Sequence, residues 1–335
     1  MNFVKWGVVG CGGIANRRTI PGMLLADNAK LVAVMDVNAE LAEDVGEKYQ
    51  ASAVCTSVED LLRQDIDAVY IATPVFLHKE QAIAAMRAGK HVFVEKPVGL
   101  CTQEVDEICR IAQEVKVKLG VGLLMRFHSQ HQKMKELVAA GVLGEIVSMR
   151  AQWGFWYPDI PGNWRQKKEL AGGGALMDVG IHCVDLMQFI SGLKPKGVFA
   201  FCDTQSFSYD VDDNAALLVK MENGAHLFVE ANFNIPDQSA PTRLEVYGTK
   251  GSMVAEGTLL DSTSGKVQII LADGSKPYFL DPGEGNMYTK EIAAFSDAIL
   301  KDCNPPVGVE QARIVHQIID AAYQSAETGI YVALT

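Results

Sequence analysis

Three groups of residues have the types and spacing to do chemistry. The first is Gly10-Cys11-Gly12-Gly13-Ile14-Ala15, a G-x-G-x-x-A pattern directly after the apolar run Val4–Val9. Gly10 permits a tight turn, Gly12 lets the backbone approach a pyrophosphate, and Ala15 keeps the following helix close to the strand. Helix-start N–H groups and the helix dipole favour an anion. Gly10, Gly12, Gly13 and Ile14 are therefore expected to hold a dinucleotide. Asp36 closes the next apolar run, 24 positions after Gly12, near the offset of a carboxylate that binds the adenosine ribose hydroxyls. A 2′-phosphate would be repelled there, and Val37-Asn38 supplies no arginine to receive it, so NAD is expected ahead of NADP. The other use of Asp36 is a loop carboxylate capping the next helix.

The second group is Asp178 and His182, four apart after Gly172-Gly173-Gly174. If Gly174–Ile190 is helical, both side chains share a face. The third is aromatic: Gln152-Trp153-Gly154-Phe155-Trp156-Tyr157-Pro158, then Asn163-Trp164-Arg165. Aromatic faces pack on the C–H faces of sugar rings, and Trp, Asn and Arg donate hydrogen bonds to hydroxyls. Trp164 and Arg165 are expected in a pocket; Trp153 and Phe155 suit a pocket and a core equally. Arg126 is expected to reach substrate, and an arginine also suits a phosphate or carboxylate.

The elements that position these residues fall into two patterns. Over residues 1–122 short apolar runs alternate with amphipathic ones. Strands are expected at Phe3–Val9, Ala29–Met35, Ala68–Ala72, His91–Val94 and Lys118–Val121. Helices are expected at Ile14–Ala26, Ala39–Tyr49, Lys79–Ala88 and Gln103–Val115, the last capped by Thr102, with a further start at Ser57. That alternation builds a parallel sheet covered by helices, a Rossmann-type α/β domain. Residues 123–335 change period. After a helix at Gln130–Ala139, Leu217, Val219 and Met221 share one face, Glu222-Asn223-Gly224 turns, and Leu227, Val229, Ala231 and Phe233 return. Asn-Gly between alternating runs is a hairpin signal. Leu244–Tyr247, Gly251–Ala255 and Val267–Leu271 continue the pattern, and Gln311–Glu327 reads as a closing helix. The second domain is expected to be α+β, a large, mostly antiparallel open-faced sheet with helices on one side.

The bulk numbers exclude several classes. A hydrophobic content of 48% supplies large cores and argues against disorder. A net charge of −11 repels phosphate backbones, so no nucleic-acid partner is expected. The longest apolar stretches break short of a membrane span, and Met1–Ala15 reads as a buried strand entering a glycine turn rather than a signal peptide. Seven scattered cysteines without a C-x-x-C pair fit a reducing compartment, and a cytoplasmic location is expected.

The chain also resembles the glucose–fructose oxidoreductase / inositol dehydrogenase (Gfo/Idh/MocA) family along its whole length. The resemblance rests on Gly10–Ala15, Ala72-Thr73-Pro74 with His78, and Ala88-Gly89-Lys90-His91 running into Glu95-Lys96-Pro97. It continues through Gly172-Gly173-Gly174 with Asp178, Gly180 and His182, and through Val246–Ser252. It implies a Rossmann domain joined to an open-faced α/β domain, with the active site in the crevice between them. It implies that Lys96, Asp178 and His182 act on substrate, and that Thr73, Pro74, His78, Glu95 and also Lys96 line the cofactor. The Asn163-Trp164-Arg165 stretch is similar to that of anhydrofructose-reductase-like members, which prefer NADP; Asp36 departs from them.

Those residues suit alcohol oxidation, in which nicotinamide takes a hydride and a base takes the hydroxyl proton. An imidazole titrates at about 6.5, so His182 can be that base. Lys96 can polarise the oxygen or relay the proton, and Asp178 can orient His182 or bind a hydroxyl. Asp178, His182 and the pair His128-x-x-His131 could also ligate a metal; none is assigned, because a nicotinamide site uses Asp178 and His182 without one. The expected activity is hydride transfer between nicotinamide and a secondary alcohol or anomeric carbon of a sugar, inositol or derivative. Two alternatives stand: an enzyme with tightly held NAD acting as a redox-assisted glycosidase or sugar–sugar oxidoreductase, and a non-catalytic NAD or sugar sensor. A homodimer or homotetramer is expected, since the open sheet has an apolar face to cover.

Overall fold

A computed structural model describes residues 2–334, so Met1 and Thr335, the ends of the two expected domains, lie outside the described residues. The chain divides into two compact units. One comprises the residues up to Leu123 together with Gly285–Arg313; the other comprises Leu124–Glu284 and the residues from Ile314 on.

The first unit is built on six parallel strands: β1 Val4–Val9, β2 Ala29–Met35, β3 Ala53–Cys55, β4 Ala68–Ile71, β5 His91–Val94 and β6 Leu119–Val121. Their order is β3-β2-β1-β4-β5-β6. The order reverses between β1 and β4, and in such sheets ligands bind at the carboxyl ends of the strands beside that reversal. Trp6, Val8, Tyr70 and Phe93 are buried under flanking helices, as a sheet covered on both faces requires.

The structure corrects the expected boundary. Residues 285–313, expected in the second domain with everything after 122, complete the first. The helix Met287–Leu300 packs Phe295 into the rings of Trp6 and Phe93, at 5.7 and 5.3 Å between centroids. The Trp6 indole N–H donates to Ser296 Oγ at 3.2 Å. Without that helix, this face of β1 and β5 would lose its apolar cover. Smaller differences concern ends. The helix after β5 runs Thr102–Glu114, so Cys101 and not Thr102 precedes its first turn. The first helix is Ile20–Leu24, entered through a π-helical turn at Ala15–Thr19.

The second unit holds nine strands: β7 Ile146–Gly154, β8 Pro195–Asp203, β9 Asn214–Met221, β10 His226–Asn232, β11 Thr242–Gly248, β12 Gly251–Glu256, β13 Lys266–Leu271, β14 Tyr278–Phe279 and β15 Val332–Ala333. All neighbours are antiparallel except β10 on β7. Leu227 faces Val219 and Val229 faces Leu217 across the hairpin, and all four are buried. Gly224 takes φ +88° in the turn, where a side chain would be strained. Alternate residues point the other way: Val147, Phe201, Leu218, Tyr247, Ile270 and Phe279 are exposed.

Among the described residues one stretch, Lys168–Ser191, is long and apolar enough by composition to cross a membrane, contrary to the sequence expectation. It is 83% buried inside the protein, because it carries the core helix of this unit, Ile181–Ser191.

Candidate active site

The residues expected at the cofactor gather at the carboxyl ends of β1, β2, β4 and β5. Gly10 follows β1 with φ +93°, and a Cβ there would lie 2.8 Å from the Ala72 carbonyl oxygen, so the turn excludes any side chain. Gly12 has no atom within 4 Å of where its Cβ would be. The backbone thus faces open space at the point where a pyrophosphate must approach. Asp36, after β2, latches this loop. One carboxylate oxygen accepts the Cys11 N–H at 2.9 Å and the other the Asn38 N–H at 3.0 Å. Each oxygen has a further lone pair, so the carboxylate can hold the loop and still take ribose hydroxyls. The capping of the next helix falls to Asn38, whose side chain accepts from Leu41 N–H at 3.2 Å. Burial pushes the Cys11 thiol up to about 12, so it stays protonated.

Two loops complete this half. Both ring nitrogens of the buried His78 sit at hydrogen-bond distance from carbonyl oxygens, Nδ1 from Pro97 at 2.8 Å and Nε2 from Thr73 at 2.9 Å. His78 therefore ties the loop of Thr73 and Pro74 to the loop of Glu95, Lys96 and Pro97. The Tyr70 hydroxyl donates to Glu95 Oε1 at 2.6 Å, and the Lys96 N–H donates to Glu95 Oε2 at 3.3 Å. The backbone of Lys96 is held by residues that themselves sit at strand ends.

In the second unit, Asp178 and His182 lie on one continuous helical run that opens with a π turn, Leu176–Gly180, and continues as Ile181–Ser191. A buried carboxylate sets where that run begins. Asp212 accepts the N–H groups of Gly174 and Leu176 at 2.7 and 2.8 Å and the Tyr323 hydroxyl at 2.7 Å. A Cβ on Gly173 would run into Tyr323, and one on Gly174 into Asp212. The glycines are there because the turn is clamped between the Tyr323 side chain and the Asp212 backbone. Burial raises the Asp212 carboxyl against the pull of those donors. From this start, His182 is placed beside Trp153 of β7, with ring centroids 5.4 Å apart and planes inclined by 32°. Trp153 thus faces the His182 imidazole, whereas Phe155 packs on Phe233 and Tyr157.

Arg126 does not fit its expected role. Its Nε and Nη2 both donate to Asp185, at 2.6 to 3.0 Å, and its guanidinium lies over Phe189. Asp185 is buried on the helix of His182, and a buried carboxylate needs such a partner. Arg126 is committed to that pair rather than to a substrate anion. Trp164 and Arg165 form a short 3₁₀ turn in which the guanidinium stacks 4.4 Å from the indole. Asn163 caps the turn through Arg165 N–H at 3.0 Å. The two histidines with metal-ligand spacing are both buried and engaged. His131 meets Met125 O and Thr258 Oγ1, each at 2.9 Å, while His128 meets Ser264 O at 3.1 Å and accepts from Gln130 N–H. Among the described residues no group of three or more His, Cys, Asp or Glu side chains is arranged to hold a metal.

Comparison with known proteins bears on both halves. Residues 4–123 match an oxidoreductase family with an NAD-binding Rossmann fold, and residues 131–254 match a GFO/IDH/MocA C-terminal domain. The chain belongs to the Gfo/Idh/MocA family of oxidoreductases. Among its relatives is 1,5-anhydro-D-fructose reductase of Ensifer adhaerens, 31% identical over 88% of each chain. Another is D-xylose 1-dehydrogenase (NADP(+)) 2 of Haloferax volcanii, 30% identical over 99% of this chain and 100% of that one. The solved aldose-aldose oxidoreductase of Caulobacter crescentus, complexed with glycerol, superposes with a TM-score of 0.92 at 26% identity, covering 99% and 100% of the two chains.

In this Gfo/Idh/MocA oxidoreductase, further residues hold the elements that carry the motifs. Asp212, Tyr323 and Asp185 position the helical run that carries Asp178 and His182, and sequence reading missed all three. Asp212 stands beside Asp213 before an alternating strand, a pattern that also marks ordinary solvated turns.

Proposed function

We propose that this oxidoreductase prefers NAD to NADP and acts on a secondary alcohol or anomeric carbon of a sugar, inositol or related polyol. When bound, the nicotinamide accepts or returns the hydride. Gly10, Gly12, Gly13, Ile14 and Asp36 would hold the dinucleotide, and Thr73, Pro74, His78 and Glu95 would line it. His182 takes the hydroxyl proton of the substrate, and Trp153 fixes the plane of its ring. Lys96 polarises the reacting oxygen or passes the proton on. Asp178, one turn before His182, accepts from a substrate hydroxyl or orients the imidazole. Trp164 and Arg165 offer an apolar face and donors to the sugar. The observation that carries this reading is the buried imidazole beside Trp153, on a helix whose start is pinned by Asp212, in a chain whose first unit holds an open glycine cradle latched by Asp36. The names of the relatives supply the substrate class.

The test is NADH formation from a panel of inositols, aldoses and glycosides, repeated with NADP. Turnover on one class with NAD supports the reading, and His182→Ala should then lower kcat about 10²- to 10⁴-fold. Near-normal turnover of His182→Ala with none for Lys96→Ala would transfer the base to Lys96. Silence across the panel, with or without NAD already in the purified protein, refutes a freely exchanging dehydrogenase.

The same proposal extends to assembly and location. The exposed Phe201, Leu218, Tyr247, Ile270 and Phe279 share the outward face of the second sheet, an area that a second copy of the chain would cover. Light scattering should give a dimer or tetramer, and a monomer mass would overturn this. All seven cysteines are unpaired, which supports a reducing, cytoplasmic location.

A further inference from the structure

Tyr157 belongs to the aromatic stretch whose sugar-binding role the reading above leaves with Trp164 and Arg165. Its ring is fixed on several sides. It meets Phe155 edge-on at 5.7 Å and Phe233 at 5.0 Å. Its N–H donates to Phe233 O at 2.8 Å, and its carbonyl accepts the Tyr209 hydroxyl at 3.1 Å. A ring held this way presents its hydroxyl at one place with little entropy left to lose.

What the hydroxyl meets there is polar. Asn163 Nδ2 donates to Tyr157 Oη at 2.5 Å, so the phenol oxygen is an acceptor in that bond. Among the described residues its own proton has no acceptor. Burial raises the phenol above its ordinary value; the Asn163 bond and Arg165 act against this, and Asp178 adds to it. Tyr157 is therefore a neutral donor at neutral pH, in the electrostatic reach of the carboxylate that neighbours His182 on its helix.

We propose that Tyr157 is a substrate-binding residue: its hydroxyl donates to one hydroxyl of a vicinal diol while Asp178 accepts from the neighbouring one. This rests on the polyol-oxidoreductase reading and deepens it. A carboxylate only accepts, and a phenol bonded to Asn163 has one proton to give. Together they select a pair of adjacent hydroxyls over a single alcohol, which has nothing to offer the second partner. The Asn163 bond also aims the donor, making Asn163 a positioning residue for it.

The experiment pairs Tyr157→Phe with the best substrate of the panel and with its deoxy analogue lacking the hydroxyl next to the reacting carbon. Steady-state kinetics are run beside calorimetric binding of both sugars to the NAD-loaded protein. The Phe variant keeps the ring contacts and loses only the donor. On the full substrate kcat/KM should fall roughly 3- to 10-fold, mainly through KM, with a matching rise in Kd. On the deoxy analogue, wild type and variant should coincide. An equal loss on both sugars overturns the proposal, since Tyr157 would then act only by tying down the loop of Asn163. An unchanged Kd on both also overturns it. A wild type that binds the sugar without turning it over removes the oxidoreductase reading, and Kd still decides Tyr157. A wild type that binds no sugar overturns both.

Discussion

The cofactor preference turns on one carboxylate whose geometry allows its replacement to be worked through. Asp36 has both oxygens on backbone donors, Cys11 N–H at 2.9 Å and Asn38 N–H at 3.0 Å, and is half-buried. Asp36→Asn keeps the shape, removes the charge, and offers an NH₂ where one backbone N–H needs an acceptor. One effect follows for each dinucleotide. Charge-assisted hydrogen bonds to the ribose are each worth about 1.5–3 kcal/mol, so NAD should bind roughly 10- to 100-fold more weakly. NADP moves the other way. Two unit charges 4 Å apart repel by about 1 kcal/mol in water and about 4 kcal/mol at an effective dielectric of 20. For a half-exposed carboxylate the lower part of that range applies, and salt reduces it further. NADP also lacks the 2′-hydroxyl and so forfeits one such bond, about 1.5–3 kcal/mol; with the repulsion added, the wild type should favour NAD over NADP at least tenfold, and Asp36→Asn should bring the two within about threefold. Fluorescence titration of both dinucleotides at low and physiological salt measures this. A wild type that binds NADP as tightly as NAD, or a variant with an unaltered ratio, refutes the role assigned to Asp36.

Two further outcomes follow from buried acids. Glu291 is 1% exposed, neither of its oxygens has a hydrogen-bond partner among the described residues, and burial followed by the nearby Glu95 raises its carboxyl well above 4.5. A group that binds its proton more tightly when folded contributes most below its unfolded value, and that stability is lost as pH rises towards the folded value. Melting temperatures of wild type and Glu291→Gln should thus converge near pH 4 and separate with rising pH. The variant becomes the more stable by about 1.4 kcal/mol for each pH step of one between the unfolded and folded values; parallel profiles refute it. Arg126→Ala should cost about 3–5 kcal/mol, because it strands the buried Asp185. Arg126→Met with Asp185→Leu should recover most of this in chemical denaturation; a variant that melts normally and loses only substrate affinity would return Arg126 to the binding site.

Where local pattern decides structure, the chain was readable. Ala29–Met35, Ala39–Tyr49 and His91–Val94 are bounded as expected, since an apolar run, an Asn38 cap or a flanking glycine marks each end. The hairpin at Asn223-Gly224 was readable for the same reason. The missed β3 has only three residues and lies at the sheet edge, too short to show a period. The missed β8 opens with Pro195 and Gly197, both of which read as turn. The helix Met287–Leu300 had its signals, an Asn286 cap on Tyr288 and Thr289 and buried Tyr288, Ile292 and Phe295. Its return to the first unit had none, because the Trp6–Ser296 bond spans 290 positions.

The site divides along the same line. Glycines and the Asp36 offset were readable because backbone approach and anion binding leave few alternatives at a helix start. Buried acids were not, because an isolated Asp or Glu most often marks a solvated surface. Asp212, Asp185 and Glu291 are the exceptions that matter, and they fall into two kinds. Fixed donors surround Asp212 and Asp185: two backbone N–H groups with Tyr323 for one, a guanidinium for the other. Both act on the helical run that presents Asp178 and His182, one at its start and one a turn past His182. Glu291 has no such donors and is expected to keep its proton, so it can be replaced by its amide where the other two cannot. What separates a positioning acid from a tolerated one is the number of donors fixed around it, a property of the folded chain that no spacing along the sequence encodes.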